Sequence, residues 1–439
     1  MIILKKQYLK ILPVLLTLAL FTVVNFKDVK YYYERILDSS GLRLQEFMEG
    51  VKKENKLARL SEEEYRRIIE AEEGIEEGKR EESPDVDLRL NALSALLMDA
   101  SNNRVLYEEN GTKEMAMAST TKIMTCIIAL ENGNLSDVVS VSSYAASMPD
   151  VQLNIKKGEK YYLRDLLYSL MLESHNDVAV AIAEHLGGSV EGFATMMNDK
   201  VRALGCEHTN FVTPNGLDAE GHYTTARDLA VIASYAIKND DFIKITNAST
   251  HQFKEITKGK TYTVSNKNRF LYMMDGAIGV KTGFTGKAGY CFVGALRQNE
   301  KTFISVVLGC GWPPSKNLKW SDTKKLMEYG LKNYKLRQIF EDVRLDPLFV
   351  DDGQKKYEPI ELKGDIQLLL RDDEKVHIEY ELPEYLKAPV KKDSIVGYAK
   401  YYIDDELYET LPIRAMEAIE KIDYKFCLKK IIELWSFQH

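Results

Sequence analysis

Cysteine is scarce. The chain has five in 439 residues, Cys126, Cys206, Cys291, Cys310 and Cys427, an odd number without a CxxC pair. A disulfide-stapled scaffold is excluded, and the mostly apolar surroundings of these residues mark them as small buried hydrophobes. Cys291 and Cys310 fall on two adjacent predicted strands, but no disulfide is expected. Histidine is nearly as sparse, at seven residues with no HExxH and no Cys/His cluster, so no structural or catalytic metal is expected. Basic charge is not in excess either. A formal net charge of -7 argues against nucleic acid as the main partner. No internal repeat is visible.

What is present is enough apolar material, 45% of residues, for two or three domains with proper cores. The first residues, "MIILKKQYLKILPVLLTLALFTVVNFK", place Lys5, Lys6 and Lys10 before an uncharged apolar run, the pattern of an export signal. That run is short for a membrane span, which takes ~20 residues. No small-x-small cleavage site follows it, so residues 1–27 read as a signal peptide or a retained membrane anchor. Either way the body of the protein is expected outside the cytoplasm, on the extracytoplasmic face of the membrane where the anchor is retained. Residues 28–85 are dense in charge and read as a helical or disordered spacer.

Residues 86–336 are expected to form an α/β domain. "ALSALLMDASNNRVLYEEN" reads as a hairpin, and helical periods follow over 119–131, 163–172, 177–185 and 190–204. "GYCFVGALRQNEKTFISVVLGCG" reads as two strands, and "WSDTKKLMEYGLKNY" as a closing helix. Strands at both ends with helices between them predict one antiparallel sheet assembled from the two ends of the domain, beside a helical cluster. Residues 337–412 alternate in short strands and read as a small all-β domain. Residues 413–439 read as an amphipathic helix, with Met416, Ile419, Ile422 and Phe426 on one face. That face suits either a membrane surface or docking on the β domain.

In "MAMASTTKIMT", Ser119 and Lys122 are spaced i, i+3 and would share a helix face, the geometry of a nucleophile beside its base. The same residues could equally be a helix cap and a solvated lysine. "LESHNDVAVAIAEHLGG" then sets Ser174 and Asn176 at a break between two helices. "GAIGVKTGFTGKAGYC" sets Lys281, Thr282 and Gly283 on a predicted strand. In the order SxxK, SxN, KTG, these three motifs are the signature of the penicillin-recognising serine acyltransferases.

From about Asp85 to Pro412 the chain resembles the low-molecular-mass penicillin-binding proteins, in particular the serine D-alanyl-D-alanine carboxypeptidases. Phrases that carry the likeness beyond the motifs include "TNFVTPNGLD", "HYTTARDLAVIASYAI" and "APVKKDSIVG". The resemblance implies a β-lactamase/DD-peptidase-like fold and removal of the terminal D-alanine from peptidoglycan stem pentapeptides through an acyl-Ser119 intermediate, with β-lactams as acylating inhibitors. Lys122 would be the base. Ser174, hydrogen-bonded between Lys122 and Lys281, would relay a proton to the leaving amine. Asn176 would hold Lys122 and the substrate amide. Lys281 and Thr282 would receive the terminal carboxylate, Gly283 would keep the strand surface clear, and the backbone N–H groups of Ser119 and Phe284 would form the oxyanion hole. The chemistry needs neither a metal nor an organic cofactor.

Two positions depart from the commonest pattern of the family. His175 stands where a small residue is usual and reads as a partly exposed loop residue, and Phe284 follows KTG where His is frequent. Lys267 falls about where a basic residue near the carboxylate is often found. A DD-endopeptidase and a non-catalytic penicillin sensor or scaffold are the competing readings. A serine β-lactamase is disfavoured, because no ExxLN-like stretch lies between Asn176 and Lys281.

Overall fold

The computed structural model describes residues 87–340 and 345–436. The candidate signal or anchor and the charged spacer, residues 1–85, lie outside the described residues. Among the described residues two compact units are present, one built from residues 87–339 together with 367–374, the other from the remaining C-terminal residues.

The first unit is organised on a five-stranded antiparallel sheet in the order β2-β1-β9-β8-β7. Its strands are β1 (Ser94–Asp99), β2 (Val105–Glu109), β7 (Ala277–Thr285), β8 (Gly289–Gln298) and β9 (Lys301–Leu308). The sheet therefore joins the two ends of the unit, as the sequence predicts. Two small hairpins lie between, β3 (Val138–Ser140) with β4 (Lys160–Tyr162) and β5 (Thr250–Lys254) with β6 (Thr261–Ser265).

Strand β1, "SALLMD", is buried along its whole length, which is why it is a continuous apolar run rather than an alternating one. Leu96 and Met98 face a core shared with the helices, while Ala95 and Leu97 face a second core closed by helix α7 (Leu318–Asn333). The helical cluster contains α1 (Lys122–Asn132), α2 (Leu163–Leu172), α3 (Asn176–Gly187), α4 (Val190–Ala203), α5 (Ala226–Ala236) and α6 (Asp240–Asn247). Side-chain caps fix three of these starts: Ser189, Thr225 and Asn239 accept hydrogen bonds from Gly192 N, Asp228 N and Phe242 N.

Helix α1 begins differently. It grows out of a 3₁₀ turn, Ala118–Thr121, and has no side-chain cap. Ser119 is therefore not spent on capping.

In the second unit, β11 (Leu348–Asp351), β12 (Tyr357–Glu358) and β16 (Leu386–Lys387) form one sheet. A second contains β13 (Ile360–Leu362), β15 (Val376–Glu381), β17 (Ile395–Ile403) and β18 (Glu406–Ala415). One strand read from sequence as part of this unit, β14 (Gln367–Leu370), belongs instead to the first, where it pairs with β10 (Lys335–Gln338).

The C-terminal helix also needs correction. Helix α8 spans Tyr424–Ser436 only, because β18 runs to Ala415 and Ile419 bridges Val390 in extended backbone. Ile419 is buried against Val350 and Val390, so Met416, Ile419 and Ile422 do not continue a helical stripe. Among the described residues no helix is long and apolar enough to cross a membrane.

Candidate active site

The three motifs converge where the start of α1, the α2–α3 break and edge strand β7 meet. Lys122 Nζ lies 2.9 Å from Ser119 Oγ, 2.9 Å from Asn176 Oδ1 and 2.5 Å from the Asn215 carbonyl. The lysine is fully buried, at 0% exposure, whereas Ser119 is half-buried. Burial is the main force driving its ammonium well below the usual lysine range; Lys281 adds to this and Asp177 opposes it. A neutral amine beside a hydroxyl is what the pair needs to activate an oxygen nucleophile.

Asn176 is locked in one orientation. Its Nδ2 donates to the Pro149 and Asp150 carbonyls at 3.2 and 3.1 Å, which leaves Oδ1 to accept from Lys122. Two backbone carbonyls thus fix the amide so that its oxygen faces Lys122.

Ser174 differs from expectation. Its φ is +69°, in the left-handed region uncommon for a residue other than glycine, and its buried Oγ has no hydrogen-bond partner among the described residues. It is not bridged between Lys122 and Lys281.

His175 is buried, at 4% exposure, and not partly exposed as the sequence suggests. Its Nδ1 lies 2.7 Å from Ser169 Oγ on α2, and Nε2 is 3.4 Å from Glu173 Oε2. Glu173 also pairs with Lys267, whose Nζ is 3.0 Å from Oε1.

Strand β7 forms the opposite wall. Lys281 is 2% exposed, its Nζ donates to the Thr282 carbonyl at 3.1 Å, and burial pushes its ammonium down to about 7. Thr282 is half-buried and Phe284 exposed. A Cβ on Gly283 would stand 3.0 Å from both Ser119 N and Met117 O. The glycine thus lets the strand approach the turn that carries Ser119.

The residue that sequence reasoning missed is Asn215, which contributes a backbone atom. Its carbonyl accepts from Lys122 and lies 3.5 Å from Ser119 Oγ. The following Gly216 has φ +83°, and a Cβ there would stand 2.0 Å from the Ala118 carbonyl. The Asn-Gly pair was the available signal, since it marks a backbone position restricted to glycine. Among the described residues no group of three or more His, Cys, Asp or Glu side chains is arranged to hold a metal ion. The five cysteines are free and buried.

An antiparallel sheet flanked by helices, with a Ser–Lys pair under its edge strand, defines a serine acyltransferase. Comparison with known proteins narrows that class. The family model described as D-alanyl-D-alanine carboxypeptidase matches residues 78–311, and the model for the C-terminal domain of penicillin-binding protein 5 matches residues 342–421. The D-alanyl-D-alanine carboxypeptidase DacF of Bacillus subtilis is 31% identical over 80% of this chain and 91% of its own length. DacC of Escherichia coli is 29% identical over 77% and 86%. The crystal structure of penicillin-binding protein 5 from Haemophilus influenzae superposes with a TM-score of 0.65 at 27% identity, covering 76% of this chain and 98% of that one. The chain belongs to the D-alanyl-D-alanine carboxypeptidase family and is a hydrolase of that class.

Proposed function

We propose that Ser119 is the nucleophile and Lys122 its base, and that the enzyme removes the terminal D-alanine of peptidoglycan stem pentapeptides. The observation that carries this reading is the fully buried Lys122 amine 2.9 Å from the half-buried Ser119 hydroxyl. Ser119 Oγ attacks the carbonyl carbon of the scissile amide as its proton passes to Lys122 Nζ. The Ser119 and Phe284 N–H groups stabilise the oxyanion that forms. The C–N bond then breaks as the proton held on Lys122 Nζ passes to the leaving D-alanine amine, relayed by the Ser174 hydroxyl, which has no hydrogen-bond partner among the described residues. Water then hydrolyses the acyl-Ser119 ester.

Lys281 and Thr282 receive the terminal carboxylate, while edge strand β7 pairs with the extended peptide. A buried cation at that position restricts cleavage to a C-terminal residue. β-Lactams, which present a carboxylate beside a reactive amide, acylate the same serine. The apolar run after Lys10 supports export and work outside the cytoplasm. Leu428 and Ile432, exposed on α8, support contact with a membrane surface.

Intact-mass and peptide mapping after benzylpenicillin treatment tests the assignment. One penicilloyl group on Ser119 is expected, and an adduct on any other residue would overturn it. Labelling at Ser119 without D-alanine release from a pentapeptide would move the function to cross-link cleavage or penicillin sensing.

A further inference from the structure

The loop that supplies the Asn215 carbonyl is itself fastened by an imidazole. His222 is 5% exposed, and Phe211 packs edge-on against its ring with centroids 5.9 Å apart. Its Nδ1 faces two backbone donors, Val212 N at 3.0 Å and Thr213 N at 3.4 Å. An atom facing two N–H groups must accept, so the ring proton lies on Nε2. Nε2 then donates to Thr121 Oγ1 at 2.9 Å, and Thr121 Oγ1 donates to the Ala118 carbonyl at 2.9 Å. Ala118 immediately precedes Ser119 and holds φ +48°, a left-handed conformation that needs support from its surroundings.

We propose that His222, as the Nε2–H tautomer, is a positioning residue for acyl transfer: it ties the loop carrying the Asn215 carbonyl to the turn carrying Ser119. It touches neither substrate nor reacting atoms. Through Val212 and Thr213 it sets the loop whose Asn215 carbonyl holds Lys122 at 2.5 Å, and through Thr121 it sets the carbonyl before the nucleophile. Both halves of the Ser119–Lys122 pair are thus referenced to one ring. The inference rests on that pair being the nucleophile and base.

The clamp works only while the ring is neutral. A protonated ring carries a hydrogen on Nδ1 and turns it toward the Val212 and Thr213 N–H groups, donor against donor. Burial lowers the imidazole to about 4 against the pull of Asp218 on its own loop, and Lys287 in the β7–β8 turn lowers it further. Between that value and the ordinary histidine range the unfolded chain binds the proton more readily. The contribution of His222 to stability is therefore complete above about pH 6.5 and declines as the pH falls toward 4.

The test uses full-length chains with His222→Gln, His222→Leu, Thr121→Val and Ser119→Ala. Each is measured at pH 7 for the rate of acylation by a fluorescent penicillin, for kcat and KM of D-alanine release, and for Tm. His222→Leu is expected to acylate about 10²-fold more slowly, the scale for misplaced reacting groups, with the loss in kcat and little change in KM. His222→Gln, whose amide can still donate to Thr121, should recover about tenfold of that, and Thr121→Val should lose about tenfold. A folded His222→Leu acylating at the wild-type rate overturns the proposal. Should that variant not fold, wild-type acylation by Thr121→Val overturns it. Equal losses of rate and Tm in the Gln and Leu variants would also overturn it, because the ring would then be only structural. Labelling of Ser119→Ala would instead refute the nucleophile assignment, so the two failures are told apart.

Discussion

Replacing Gly216 with alanine adds one methyl group at a crowded point beside Ser119. The added Cβ would stand 2.0 Å from the Ala118 carbonyl oxygen and 2.9 Å from Thr121 Oγ1, where real contacts begin at 3.0 Å. The carbonyl before Ser119, or the loop carrying Asn215, must therefore retreat by about 1 Å. A displacement of that size between reacting groups costs on the order of 10²-fold in rate. The φ of +83° adds about 1–2 kcal/mol for an L-residue, and overpacking about 1–3 kcal/mol more.

The variant should therefore fold with Tm lower by about 5 °C or more and acylate with a fluorescent penicillin about 10²-fold more slowly. Gly158 is the control. It has φ +82° but no atom within 4 Å of an added Cβ, so Gly158→Ala carries the backbone cost alone. Its Tm should fall slightly and its acylation rate should not change. A folded Gly216→Ala that acylates at the wild-type rate would refute the claim that this contact holds the nucleophile in place.

Other outcomes follow from the same geometry. Gly283→Ala brings a Cβ to 3.0 Å from Ser119 N, a milder contact, and should slow acylation by about tenfold while lowering Tm less than Gly216→Ala. The proposed binding of a carboxylate by Lys281 requires its ammonium, which burial sets near 7, so kcat/KM for D-alanine release should decline as the pH rises above about 7; a flat profile to pH 9 would contradict this. Lys281 also links stability to pH. Between about pH 7 and the ordinary lysine range the unfolded chain holds a proton that the folded chain has released, so Tm should rise with pH in that window and rise less in Lys281→Met.

Much of the site was legible because its chemistry sits in side chains at short spacings. Ser119 and Lys122 are one turn apart, and the structure places their polar atoms 2.9 Å apart. Asn215 was not legible as a partner, because it contributes a carbonyl that any residue carries. The conformation of Ser174 was hidden for a similar reason, since φ +69° at a serine leaves no mark in composition. His175 looked like a loop residue because it lies between two helices, yet Ser169 on α2 and Glu173 draw its ring inward.

In the fold, the apolar run of β1 and the helical periods were visible, whereas two features set by long-range pairing were not. The spacing of Met416, Ile419 and Ile422 imitates a helix, but β18 and the Val390 bridge hold that stretch extended. The run around Leu368–Leu370 has the texture of the C-terminal strands around it, and only its pairing with β10 assigns it to the first unit.

The most direct test of the account is D-alanine release from a diacetyl-Lys-D-Ala-D-Ala peptide by the full-length protein and by its Ser119→Ala variant. The account predicts release by the wild type and none by the folded variant. Release that survives the substitution would contradict Ser119 as the nucleophile.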